Sequence, residues 1–125
     1  MSERRSCAPP KSLLLVGRDP HEAERMKRLL PARVGFALSP TEARTAMAER
    51  GAPDVLLLED RAWAAAEGPA LEEIRALSAA RKLSLVLARR RGEHGPCGHP
   101  VVQRPYDIEE IVSTMRTVLL RRKLQ

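Results

Sequence analysis

Aromatic residues are nearly absent from this chain of 125 residues, which has one Phe, one Trp and one Tyr. Phe36, Trp63 and Tyr106 are too few to build the stacked platforms on which single-stranded nucleic acids are held. Cysteine is also scarce. Cys7 and Cys97 make no disulfide framework, which points to a reduced, cytoplasmic compartment. No apolar run approaches the roughly 20 residues that a membrane span needs. The opening MSERRSCAPPK is charged but has no apolar stretch before its prolines, so it does not read as a signal peptide. A flexible arm is expected over 1–10 and a single domain over 11–125. No Gly-rich phosphate loop, Ser/His/Asp order or paired-acid arrangement supports an enzyme, so neither an enzyme nor a cofactor is expected. His94, Cys97 and His99 fall in HGPCGH, whose spacing does not match structural zinc sites, and no metal is expected there.

What the chain has is positive charge and short apolar runs. Its 22 basic residues outweigh 16 acidic ones, for a net charge of +6. Arginine supplies 18 of the basic residues and lysine 4. Such a balance permits nucleic acid or an acidic protein as partner. Two clusters stand out, Arg89-Arg90-Arg91 and Arg121-Arg122-Lys123. They are expected at opposite ends of the domain, which argues against one continuous nucleic-acid groove. Solvated charge is the simplest reading of both; an acidic protein partner is the next.

Three helix starts share one spacing. Asp19-Pro-His-Glu22, Ser39-Pro-Thr-Glu42 and Asp107-Ile-Glu-Glu110 each set a capping side chain three residues before Glu. Pro20 and Pro40 take the first helical position, where a missing N–H costs nothing. Apolar stripes follow: Ala23, Met26, Leu29 and Leu30; then Ala43, Ala46 and Met47; then Ile108, Ile111, Val112, Met115, Val118 and Leu119. A further helix over 69–80 carries Leu71, Ile74 and Leu77 on one side. Strands are expected over 12–16, 34–38, 55–59, 83–88 and 101–103. LLLV and VLLL are apolar on both faces, as parallel strands covered on both sides are. The alternation predicts right-handed crossovers and a doubly wound parallel sheet, an α/β fold. One connection breaks the rhythm: ARRRGEHGPCGHPV, from Ala88 to Val101, holds Gly92, Gly95, Pro96, Gly98 and Pro100. A loop is expected there in place of a covering helix.

Four stretches, LLLVGRDP, PDVLLLED, LVLA and QRPYDIEEI, resemble the receiver domain of bacterial response regulators over about residues 11–123. The resemblance implies a flavodoxin-like receiver fold: a five-stranded sheet in order 2-1-3-4-5, with helix four missing or replaced by a loop. It also implies a phosphorylation site, and nearly every position of that site departs from the pattern. The magnesium-binding acidic pair aligns with Gly17 and Arg18. The phospho-acceptor aligns with Glu59, with Asp60 next to it. The hydroxyl position becomes Ala88, the Lys-Pro pair becomes Arg104-Pro105, and the aromatic switch position falls on Val101. The chain thus resembles a degenerate receiver, or pseudo-receiver, for which no magnesium is expected.

A buried carboxylate needs partners. We therefore expect an Arg18–Glu59–Arg104 cluster in the old site, against the plainer reading that Arg18 and Glu59 point into water. The leading function is a phosphorylation-independent interaction module of bacterial signalling or regulation, with a protein partner or a second copy as ligand. Trp63, Arg89, Arg90, Arg91, Val101, Tyr106, Val112, Met115 and Leu119 are the candidate contact residues. Two alternatives stand beside it: an anion- or nucleotide-binding sensor at the arginine-rich strand edge, and a conventional regulator phosphorylated on Asp60.

Overall fold

The short apolar runs form five strands: β1 (Ser12–Val16), β2 (Arg33–Ala37), β3 (Val55–Glu59), β4 (Ser84–Arg90) and β5 (Val101–Arg104). They belong to a computed structural model that describes residues 11–59, 68–90 and 99–124. All pair in parallel in one sheet of order β2-β1-β3-β4-β5. Four helices accompany them among the described residues: α1 (Pro20–Leu29), α2 (Pro40–Arg50), α3 (Gly68–Ala79) and α4 (Ile108–Leu124). This is the doubly wound α/β sheet that the alternation predicts. Of the helix-free connection expected over 89–100, Arg89 and Arg90 instead extend β4, while 91–98, like the expected arm over 1–10, lie outside the described residues.

Alternation along the strands splits the core into two layers. Leu13, Leu15, Val55, Leu57, Val86 and Ala88 face one side, where Ala23 and Met26 of α1 and Ile111, Met115 and Val118 of α4 cover them. Leu14, Val16, Leu56, Leu58, Leu85 and Leu87 face the other, under Ala43 and Met47 of α2 and Ile74 of α3. β3 is buried along its whole length. Truncating a residue such as Leu57, 1% exposed, to alanine is worth about 2–5 kcal/mol.

The caps form, but only one as the spacing predicts. Ser39 Oγ accepts from Glu42 N at 3.1 Å, and Glu42 Oε1 in turn accepts from Leu38 N at 3.2 Å. Asp19 and Asp107 accept instead from the residue two positions on, His21 N and Glu109 N, each at 2.9 Å. Glu110 is then free to accept from Gln103 N at 3.0 Å, tying α4 to β5. Leu29, expected in the α1 stripe, is 52% exposed, because Leu30 takes the buried place at the helix end. β2 begins one residue earlier than expected, at Arg33, whose N–H donates to Lys11 O at 2.8 Å.

A polar clamp joins the opposite edge of the sheet to the last helix. Asp54 Oδ2 accepts from Ser12 N at 2.9 Å, while Ser12 Oγ accepts from Asp54 N at 3.0 Å. Arg122 reaches back from the last turn of α4 and donates to Asp54 O at 3.0 Å.

Candidate functional site

Glu59 is the last residue of β3 and the one buried charged side chain among the described residues, at 5% exposure. It shares the strand face of Val55 and Leu57, so its carboxylate enters the layer beneath α1 and α4. Its lateral neighbours there are small. β4 sets Ala88 directly opposite Glu59. On the other side, the pairs Leu15–Leu57 and Val16–Leu58 place Gly17 next in line. A Cβ built on Gly17 would stand 2.5 Å from Glu59 Oε2 and 2.6 Å from its Cδ. The glutamate side chain therefore lies across the place where residue 17 would otherwise project. Gly17 is required here by close approach.

The carboxylate is held by two groups from the far end of β5. Tyr106 Oη donates to Glu59 Oε2 at 3.0 Å, and Arg104 Nε lies 3.4 Å from the same oxygen. The Arg104 guanidinium also stands over the Tyr106 ring, 5.8 Å from its centroid, within cation–π range. Arg25 Nη1 on α1 donates to Tyr106 O at 3.1 Å and fixes the corner. The Arg104–Pro105 peptide in this corner is cis. Burial first, then the charge of Glu59 and the hydrogen bond to it, push the Tyr106 phenol well above its ordinary value; Arg104 pulls the other way. The pair is a neutral phenol donating to a carboxylate, a charge-assisted bond in a place closed to water.

The chain matches no protein-family model and no curated protein by sequence. By structure its likenesses agree with one another. A response regulator receiver domain protein from Clostridium thermocellum superposes with a TM-score of 0.73 at 17% identity, covering 91% of this chain and 98% of that one. The signal receiver domain of an HD domain-containing protein from Pseudomonas fluorescens gives 0.70 at 19%, covering 93% and 99%. The N-terminal domain of a response regulator/sensory box/GGDEF protein from Carboxydothermus hydrogenoformans gives 0.71 at 16%, covering 91% and 98%. The fold is that of a response-regulator receiver domain.

Within the receiver fold, the positions aligned with the phosphorylation site are accounted for one by one. Gly17, Glu59 and Ala88 meet at one level of the sheet, with Arg104 and Pro105 above them at the end of β5. Arg18 does not join them. It is exposed, and no described carboxylate pairs with it. The expected three-residue cluster is corrected accordingly: Tyr106 takes the place given to Arg18. Strand parity explains why. Leu13, Leu15 and Gly17 share a face with Glu59, and residue 18 lies off it. Tyr106 was expected only to pack at the corner. Tyr106 lies 47 positions along the chain from Glu59, and nothing in the local sequence signals their bond.

The residues present do not fit magnesium. That ion wants several oxygen ligands around an open position. Here Glu59 is already bonded and wedged over a glycine. Among the described residues, no three His, Cys, Asp or Glu side chains are placed to hold a metal. A neighbouring cavity of about 400 Å³ at this edge is lined by Asp19, Glu22, Arg90, Arg104 and Pro105. Its described lining carries two acids and two arginines.

The candidate contact residues divide. Met115 and Tyr106 are core, at 8% and 3% exposure, and are not available to a partner. Both are corrected as contact residues: Met115 points at the sheet, and Tyr106 turns inward to reach Glu59. Val101, Val112 and Leu119 are partly buried against the two core layers. Arg89 and Arg90 lie on the end of β4. Trp63, Arg91 and Asp60 fall outside the described residues, as do His94 and Cys97. Leu120 was missed by the sequence reading; it is 57% exposed on α4, one residue beyond the apolar stripe. No helix among the described residues is long and apolar enough to cross a membrane.

Proposed function

We propose that the chain is a phosphorylation-independent receiver-type module, a pseudo-receiver that works in bacterial cytoplasmic signalling by binding another protein or a second copy of itself. One observation carries the reading: the Glu59 carboxylate is buried, bonded to Tyr106 and Arg104, and lies over Gly17. A carboxylate in that state is not exposed to a phosphodonor. Ala88 offers no hydroxyl to read a phosphoryl group. With the switch chemistry gone, the site works as a fixed brace between β3 and β5, and the module keeps one arrangement of its binding surface.

The partner-binding surface is the exposed side of α4, where Leu120 stands clear of the core and Val112 and Leu119 are half-covered. The test is exposure of the protein to labelled acetyl phosphate with magnesium, and in parallel to beryllium fluoride. No covalent label and no change in tryptophan fluorescence are expected. Label that disappears in Asp60→Asn would overturn the proposal in favour of a conventional regulator. Label that disappears in Glu59→Gln would overturn the buried-brace reading itself.

A further inference from the structure

α3 and α2 end differently, and the difference points to a second site. Beyond α2, Gly51 stops the helix at φ 87° and ψ 166°, with its N–H donating to Met47 O. Beyond α3, the stop is made instead by Arg81 at φ 58°, the one non-glycine residue with positive φ among the described residues. Its N–H donates to Ser78 O at 3.1 Å and that of Lys82 to Leu77 O at 2.8 Å, the paired bonds of a Schellman stop. Glycine is the residue that fits this position without strain. An arginine there is unfavourable for the backbone, so its side chain is where a reason for it must lie.

That side chain lines a groove of about 310 Å³ between the end of α3 and the last turns of α4, together with Ser78, Ser84, His99, Arg121 and Arg122. None of the described lining residues is acidic. Arg122 is held by the Asp54 carbonyl at 3.0 Å and by the Asp54 carboxylate at 3.4 Å. Arg81 and Arg121, one on each wall, have no described carboxylate partner. This groove lies at the sheet edge opposite Glu59, and its charge contrasts with the mixed lining beside Arg104.

We propose that the groove binds the phosphates of a small phosphorylated molecule, with Arg81 and Arg121 gripping from opposite walls and the Ser78 and Ser84 hydroxyls adding donors. Guanidinium forks match the planar oxygen pairs of a phosphate, and two of them facing each other suit a pyrophosphate-like group better than a single charge. The volume lies at the small end of ligand sites, which fits a diphosphate with the rest of the molecule outside. The site is independent of the pseudo-receiver reading and stands or falls separately.

Inorganic pyrophosphate is the probe, titrated into the full chain at low ionic strength and read by calorimetry and thermal shift. The wild type should bind and be stabilised. Arg81→Gly should melt no lower than wild type without ligand, since glycine suits the left-handed stop, yet bind about tenfold more weakly. Arg121→Gln should lose a similar amount. No binding by the wild type, or equal binding by Arg81→Gly, overturns the proposal. So does tight binding of duplex DNA that pyrophosphate fails to displace, which would make the groove a nucleic-acid surface instead.

Discussion

Replacing Gly17 by alanine should destabilise the protein in its natural background and leave it unharmed, or better, once Glu59 is removed. The three atoms nearest to the added Cβ are all Glu59 carboxyl atoms, at 2.5, 2.6 and 3.0 Å. Alanine therefore forces the carboxylate aside and breaks its bonds to Tyr106 and Arg104. A hydrogen bond to a charged group is worth about 1.5–3 kcal/mol. Against this, alanine stiffens the unfolded chain by about 0.4–1 kcal/mol, because no positive φ at Gly17 demands glycine. The net loss is about 1–2 kcal/mol, or roughly 4–8 °C in melting temperature for a chain of this size. Glu59→Ala alone should also lose about 1–3 kcal/mol, since it leaves the buried Tyr106 hydroxyl without its acceptor. In the double variant the three atoms nearest to the new methyl are gone, so Gly17→Ala should become neutral or slightly favourable. Urea unfolding of all four proteins, with a constant slope against denaturant, measures the cycle. A coupling near 2 kcal/mol is expected. Additivity within about 0.5 kcal/mol would refute the claim that these residues compete for one space.

The chain has a single tyrosine, so its phenolate absorbance reports Tyr106 alone. Below the ordinary value of 10.0 the phenol is protonated in both states; above it the unfolded chain releases a proton that the folded one keeps. Stability is therefore complete below that value and falls as pH rises past it, and folded protein should show no phenolate step there, whereas protein in urea should. A folded-state midpoint near 10 would show the phenol to be open to water. On α4, Leu120→Glu changes an exposed position and should convert a larger species to a monomer by light scattering; a wild type that is already monomeric removes the second-copy version of the partner.

Much of this fold is legible because its signals are local. Ser39 and Glu42 pair across one helical turn, and LLLV and VLLL declare strands covered on both faces. The Leu29 misplacement is also instructive: Leu29 and Leu30 both suit an apolar stripe, and only the path of the following strand decides which is covered. At the site, the sequence suggests a Glu59–Arg104 pairing through the need of a buried carboxylate for partners, but it leaves open whether Glu59 is buried or points into water. The bond to Tyr106 is not legible there, because β5 and the turn after it bring that ring back across the sheet. The exclusion of Arg18 was within reach, since residues 13, 15 and 17 share a parity that 18 breaks. Arg81 shows the opposite case. Its charge is visible in the sequence, but the left-handed backbone that gives the charge meaning exists only in three dimensions.

The wedge of Glu59 over Gly17 also sets the direction in which this molecule can change. An acid placed at position 17 would collide with a like charge already seated there. A shortened residue 59 would first leave a buried hydroxyl stranded. Either single change costs the folded chain stability, so under the pseudo-receiver proposal the brace works as a ratchet: any route from it to a metal-binding pocket crosses a less stable molecule.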